Sequence, residues 1–480
     1  MHAQTDRQSS SENRQARWCL CWMDERMQQI ITAKLKLLTT PEQGQSLRQT
    51  QLAYRDALNY VSRYAFEHGK LSNRKRLQKG TYDDIRLLYK LPSQMACNVP
   101  RQVGATYKGL WTKLKQNSEH RKAGYTKKRY KGLDKPPRYI SPTVTYNYGY
   151  DYTFKPGQQV SVLTLQGRII MPYQGYDRHV ALIHHGATIG AARLWYDKAH
   201  KQFYLLVSLE LEIPEPTPET LPTVIGVDVG QRYLATTATL SNQSRFYPGK
   251  RARAKADHYA RLQKRLQKKG TRSATRRKIA LSGRERRLKL QVNHRIAKSI
   301  ILSHPHTLIG LEELTGIRER TKRRTRRRKK HGKGTDPVSK KARRANRHAS
   351  KWAFAELQEM ISYKAALAGS LAIKVDADYT SQSCPCCGYT DKRNRPGNGL
   401  LFICQYEQCP YRLRTGRPYT LHADLVGARN IALRTLLTRQ DWVRTGVLSV
   451  RPDVSDAETK AARLKRYAEL RWSSDTRSSR

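Results

Sequence analysis

The chain has 480 residues and a net charge of +54, from 92 Lys and Arg against 38 Asp and Glu. Self-repulsion on that scale calls for a polyanionic partner, and nucleic acid fits best because each phosphate met by Lys or Arg releases a bound counterion. No long apolar run and no signal-peptide pattern appears, which argues against membrane and secretory classes and towards a cytoplasmic, nucleoid-associated protein.

The polar start, residues 1–27, reads as disordered. Alternation in "QQIITAKLKLLT" (28–39) predicts a strand, after which Tyr54, Leu58, Val61 and Ala65 fall at helical spacing. A second helix is expected from "NVPRQVGATYKGLWTKLK", with Pro100 in its first turn and Val103, Tyr107, Leu110 and Leu114 on one face. From about 138 to 213 the texture is that of strands, with a turn at Gln166-Gly167. "EIPEPTPETLP" (212–222) reads as a linker and marks the clearest domain boundary. Beyond it, "TVIGVDVGQRYLATTATL" predicts two strands around Gly230. Residues 250–290 predict a helical hairpin carrying 17 Lys and Arg against two acids. "HTLIGLEELTG" reads as a buried strand, followed by a helix over "KWAFAELQEMISYKAALAG" that stops at Gly369. A strand over "LAIKVDADYTSQ" and a last helix over "ADLVGARNIALRTLL" complete an alternating α/β pattern, and the tail from about 450 reads as disordered.

Three acids sit on apolar scaffolding: Asp228 in "VIGVDVG", Glu312 in "LIGLEEL" and Asp424 at the start of an amphipathic helix. Each alone could cap a turn. Together they suit hard divalent cations, since Mg²⁺ takes carboxylate oxygens along with water and substrate phosphate, and two such ions clamp a phosphodiester. Five of the eight cysteines fall between Cys384 and Cys409, a clustering that favours a metal over disulfides, while Cys19, Cys21 and Cys97 read as free thiols. The run "RERTKRRTRRRKKHGKG" (318–334) holds ten Lys and Arg between Arg318 and Lys330. It reads as a phosphate-contacting or lid segment rather than a specificity element.

"GVDVGQRYLAT", "LIGLEELTGIRER", "SQSCPCCGYTDKRNR" and "HADLVGARNIALR" occur in that order. They resemble the three split RuvC motifs and the zinc ribbon of the TnpB family, transposon-encoded RNA-guided DNA endonucleases similar to type V CRISPR effectors. The resemblance implies that Asp228, Glu312 and Asp424 are catalytic and hold Mg²⁺ at a two-metal site, with Glu313 a neighbour. It also implies a structural Zn²⁺ on Cys384, Cys387, Cys404 and Cys409, with Cys386 spare. Cys384 and Cys387 have the C-x₂-C knuckle spacing, the second pair a wider x₄ gap, and four thiolates make a closed site. The implied fold is multidomain α+β. A wedge-like β-barrel (28–45 and 130–215) is interrupted by a helical recognition domain (46–129). An RNase H-like RuvC α/β domain (216–378 and 424–450) carries the zinc ribbon (379–423), and 451–480 forms a disordered tail. The implied partners are a guide RNA and double-stranded DNA bearing a short flanking motif. The family's D-x-N-A-A pattern is broken by Val426 and Gly427. That departure keeps open a guided binder that cuts weakly or not at all; a non-guided DNA-binding accessory of a transposon is the third reading.

Overall fold

The computed structural model describes residues 27–124, 126–198, 200–230, 232–314, 326–328, 335–337, 339, 354–397, 399–453 and 456–472. It divides into two units, one of Met27–Glu212 and one that takes the chain from Ile213 onward. The division falls at the start of the Pro-rich linker read from the sequence.

In the first unit β1 (Met27–Leu37) leads into α1 (Pro41–Glu67). This helix begins earlier than its apolar periodicity suggests. Thr40 and Gln43 cap it reciprocally: the Gln43 N–H donates to the Thr40 hydroxyl at 3.3 Å and the Thr40 N–H to Gln43 Oε1 at 3.1 Å. Next come α2 (Arg74–Tyr89) and α3 (Ser93–Lys122). Pro100 lies inside α3, not in its first turn, because the helix starts behind Pro92 one to two turns earlier. The strands are β2 (Val144–Tyr146), β3 (Tyr152–Lys155), β4 (Gln159–Thr164) and β5 (Gly167–Gln174). After the short α4 (Asp177–His184) come β6 (Thr188–Asp197) and β7 (Gln202–Ile213). They form one seven-stranded sheet in the order β2-β6-β7-β1-β5-β4-β3. A bridge between Tyr148 and Tyr152 draws its two edges together, so the sheet is nearly closed. The segments expected as wedge and helical domains share a single core, in which Tyr54, Leu58, Val61, Val103 and Tyr107 meet the inward residues of the sheet. Each such fully buried aliphatic side chain contributes roughly 1.5–3 kcal/mol.

The second unit opens with β8 (Thr223–Asp228), β9 (Tyr233–Thr239) and β10 (Ser244–Pro248), followed by the hairpin of α5 (Lys250–Lys269) and α6 (Arg272–Ser303). Then come β11 (Thr307–Glu312) and the short antiparallel pair β12 (Arg326–Arg328) and β13 (Thr335–Pro337). The rest of the basic run 318–334 lies outside the described residues. α7 (Phe354–Ala366) and β14 (Leu371–Val375) follow. The cysteine segment contains β15 (Leu401–Ile403), α8 (Pro410–Thr415) and β16 (Thr420–His422), ahead of α9 (Ala423–Thr445). The five-stranded sheet runs β10-β9-β8-β11-β14; β9 is antiparallel to both neighbours, while β8, β11 and β14 are parallel. Ile225 and Val227 face α6 and α7, packing with Ile296, Ile300, Leu357 and Ile361. On the other face Ala238 packs with Leu425, Ala428 and Ala432 of α9.

The tail departs from expectation. Asp456 caps a further helix, α10 (Ala457–Ala468), and Trp472 is buried against the α9 cluster. Residues 457–468 read as polar tail because charged contacts fasten this helix more than apolar ones do. Residues 1–26 and 473–480 lie outside the described residues. Among the described residues no helix is long and apolar enough to cross a membrane.

Candidate functional site

Side chains two apart on a strand share a face. In β8 that places Gly226 with Asp228, and in β11 Gly310 with Glu312. The parallel register pairs Gly226 with Gly310, so the two acids come side by side at the ends of adjacent strands. The glycines are there for the helix above them. A Cβ on Gly226 would stand 2.0 Å from the Ala428 carbonyl oxygen, and one on Gly310 would stand 1.8 Å from Thr435 Oγ1. With both positions bare, α9 lies directly on β8 and β11. Its first turn then covers the acids: a Cβ on Gly427 would be 3.2 Å from Asp228 Cγ, and one on Gly230 would be 4.0 Å from Asp424 Oδ2. Three carboxylates 84 and 112 positions apart in sequence therefore converge.

Their electrostatics follow from crowding. Burial, then the Glu312 and Asp424 carboxylates, pushes Asp228 well above the ordinary carboxylate range. Burial also raises Glu312, opposed by a hydrogen bond that the Thr380 hydroxyl donates to Glu312 Oε1 at 2.6 Å and by the buried Arg434 guanidinium. Asp424 is raised by burial and pulled back by His422, Arg395 and Arg232. His422 caps α9, its Nδ1 accepting the Asp424 N–H at 3.2 Å. Acids partly dried and set against one another in this way would each gain from a cation placed between them, although their oxygens are not all within 4.8 Å of one another as the four sulfurs described below are. Glu313 is elsewhere: it is buried and its carboxylate takes the Arg451 Nε–H.

Arg395 was not singled out by sequence reasoning. Its charge acts on both Asp228 and Asp424. The guanidinium is held by donation from Nη1 to Ser381 Oγ at 2.8 Å and from Nη2 to the Gly399 carbonyl at 2.6 Å. Nothing in "DKRNRPGNG" sets it apart from the cations beside it. The glycines two places before Asp228 and Glu312 were a readable signal, because a strand glycine marks close approach by other backbone.

Cys384, Cys387, Cys404 and Cys409 meet with their sulfurs within 4.8 Å of one another. The Cys387 and Cys404 sulfurs are 3.6 Å apart. A tetrahedral ion with metal–sulfur bonds of about 2.3 Å needs an edge of about 3.8 Å, so the donor set fits such an ion closely. The first knuckle turns through Gly388 at φ +76°, its N–H donating to the Cys384 carbonyl at 2.7 Å. Asn394 joins the knuckles, donating to the Gln382 and Tyr389 carbonyls and accepting the Gln405 N–H at 3.0 Å. Cys386 stays outside the four and packs beside them. Val426 is fully buried among Cys384, Phe402, Cys404 and Cys409, so its apolar side chain serves the cysteine cluster.

Two family models match the chain: one described as a probable transposase over residues 207–316, the other as a Cas12f1-like TNB domain over 354–431. Between them they take in all three acids and all four clustered cysteines. The putative RNA-guided DNA endonuclease InsQ of Escherichia coli (strain K12) is 26% identical over 321 residues, 62% of this chain and 70% of that protein. The CRISPR-associated endodeoxyribonuclease Cas12f1 of Sulfoacidibacillus thermotolerans is 25% identical over 267 residues, 51% of this chain and 53% of the relative. The TnpB-like protein MJ0751 of Methanocaldococcus jannaschii is 29% identical over 137 residues, 28% of this chain and 43% of that one. The chain thus spans about half the length of its Cas12f1 relative.

Proposed function

Starting from a chain whose relatives are TnpB-like and Cas12f proteins, we propose that it is an RNA-guided endonuclease that cuts double-stranded DNA by RuvC-type phosphodiester hydrolysis. The observation that carries this reading is the convergence of Asp228, Glu312 and Asp424 beneath the first turn of α9. The sheet order, with β9 antiparallel and β8, β11 and β14 parallel, supports the RNase H-like assignment.

Asp228, Glu312 and Asp424 would hold Mg²⁺. When bound, the ions supply charge to the scissile phosphate and lower the pKa of an attacking water. The protein contributes the rest. The strand register fixes two carboxylates, His422 and α9 fix the third, and Thr380 orients Glu312. Arg395, pinned from two sides, presents a cation beside the acids where phosphate charge would develop in the transition state. Cys384, Cys387, Cys404 and Cys409 would hold a structural Zn²⁺, closing the ribbon that delivers the chain to Asp424.

The hairpin α5–α6 and α7 border an open groove of about 720 Å³ that includes Lys255, Arg284, Arg287, Arg295, Lys298 and Lys364. Such a surface suits a phosphate backbone and leaves sequence reading to a guide RNA, with the protein reading a short flanking duplex motif. The alternative of a guided binder that does not cut arose from Val426. That residue packs into the cysteine cluster, so its apolar character has a structural use there, and the cleavage assay below separates the two readings.

The test is to purify the protein, sequence the RNA that accompanies it and incubate the complex with a matching plasmid and Mg²⁺. A discrete RNA and cleavage that vanishes in Asp228→Ala are expected. Absence of RNA would sink guided function, and an inert wild type carrying RNA would favour the binder.

A further inference from the structure

We propose that α10 is a positioning strap: through Arg463 and Lys460 it fixes the loop Asp376–Thr380, and through Thr380 it sets the Glu312 carboxylate in its metal-binding orientation. This rests on the metal reading of the three acids and extends it to a part of the chain that the sequence presents as tail.

The loop joins β14 to the cysteine segment and is held at each step. The fully buried Asp376 carboxylate accepts Arg463 Nε–H at 2.9 Å, Arg463 Nη2–H at 3.3 Å and the Tyr467 hydroxyl at 3.0 Å. Lys460 Nζ lies 2.8 Å from Asp378 Oδ2. Arg434 of α9 donates to the Asp376 carbonyl and, at 2.8 Å, to the Asp378 carbonyl. Its guanidinium carbon lies 4.4 Å from the centre of the Tyr467 ring of α10. Tyr379 has φ +59°, a conformation that a residue with a Cβ keeps only where its surroundings over-determine it. The next residue is Thr380, whose carbonyl accepts Asn430 Nδ2–H at 2.6 Å and whose hydroxyl reaches Glu312.

The far end of the strap is tied as well. The Trp472 N–H donates to the Pro385 carbonyl at 2.6 Å, and Trp472 Nε1–H to Asn242 Oδ1 at 2.7 Å. A Cβ on Gly388 would stand 2.2 Å from the Ala468 carbonyl oxygen, so α10 also seats against the first cysteine knuckle. Charged contacts to a strained loop, whose last residue is bonded to a metal-site acid, are more than a helix needs merely to stay docked. Groups that orient a ligand from behind typically change metal affinity 10- to 100-fold when removed.

The experiment measures Mn²⁺ binding by electron paramagnetic resonance on the full-length protein freed of nucleic acid, counting only ions lost in Asp228→Ala. Arg463→Ala is expected to weaken that binding about tenfold or more. Thr380→Val is expected to weaken it comparably, and the double variant no further than the weaker single one. Arg463→Lys should recover part of the affinity. If Arg463→Ala fails to fold, Lys460→Ala carries the same expectation. Wild-type affinity in the strap variants, or fully additive losses, would overturn the strap's route through Thr380. No Asp228-dependent Mn²⁺ binding in the wild type would overturn the metal reading itself and this inference with it.

Discussion

The carboxylate group and the cysteine cluster both bring metal-binding residue types together, yet they are built in opposite ways. The four thiols come from two knuckles inside a short stretch and close around a point, with backbone hydrogen bonds turning each knuckle inward. The three acids come from two strands and a helix, and each keeps some exposure to water. A closed set has no room for a reactant, whereas acids open to water on one side do. Metal-binding residue types therefore do not by themselves mark chemistry; what separates the two groups is whether the donors close around a point or leave a side open.

Four experiments would break or sharpen that contrast. Cys404→Ser, or chelation of the wild type, should remove the zinc and unfold the ribbon, since structural zinc sites contribute about 10 kcal/mol or more to local folding. Metal analysis showing no zinc in the native protein would refute the closed site. Glu312→Ala or Asp424→Ala should lower cleavage on the order of a thousandfold or more while leaving the zinc content and the melting curve near wild type. Loss of zinc in those variants would mean that the two groups are not separate.

Gly226→Ala tests the packing that brings the acids together. Its Cβ would collide with α9 backbone, so a loss of about 1–3 kcal/mol or more is expected in denaturant unfolding, along with weaker cleavage. The smallest effect belongs to a control carboxylate, Asp151 in the first unit. Burial raises its pKa, offset by the Asn147 N–H, Arg168 and Asn98, and among the described residues its Oδ1 has no hydrogen-bond partner. A raised folded pKa means that the native state binds more protons than the unfolded chain between about 3.9 and the folded value, so stability falls as pH rises through that window. Asp151→Asn should therefore gain stability relative to wild type at neutral pH and lose that advantage near pH 4. Mg²⁺ should not change it, because among the described residues no second acid acts on Asp151. A Mg²⁺-dependent shift would blur the distinction drawn here.

Much of this was legible in the chain. The linker, the β8–β9 hairpin, the basic helical hairpin and the apolar setting of the three acids follow from local pattern, while the choice of four thiols among the five clustered cysteines came with the family resemblance. What escaped was set by contacts across sequence. α2 hides because Thr81 breaks its buried row between Leu77 and Ile85. Pro100 looked like a first-turn residue because proline favours that place, yet α3 tolerates it inside. α10 hides because charge fastens it, and Arg395 because only the folded ribbon turns it towards Asp228 and Asp424.

The pairing of Gly226 with Gly310 also has a consequence for synthesis. Its partners are 84 residues apart with the whole basic hairpin between them, and the third acid arrives 112 residues after the second. During translation β8 and β9 can pair early, but the parallel β8–β11 contact waits for the hairpin, and the meeting of the three acids waits for α9. A ribosome-bound fragment ending before residue 424 carries the basic hairpin without the complete set of acids. The three acids can meet only after α9 is made, when the basic hairpin is already in place.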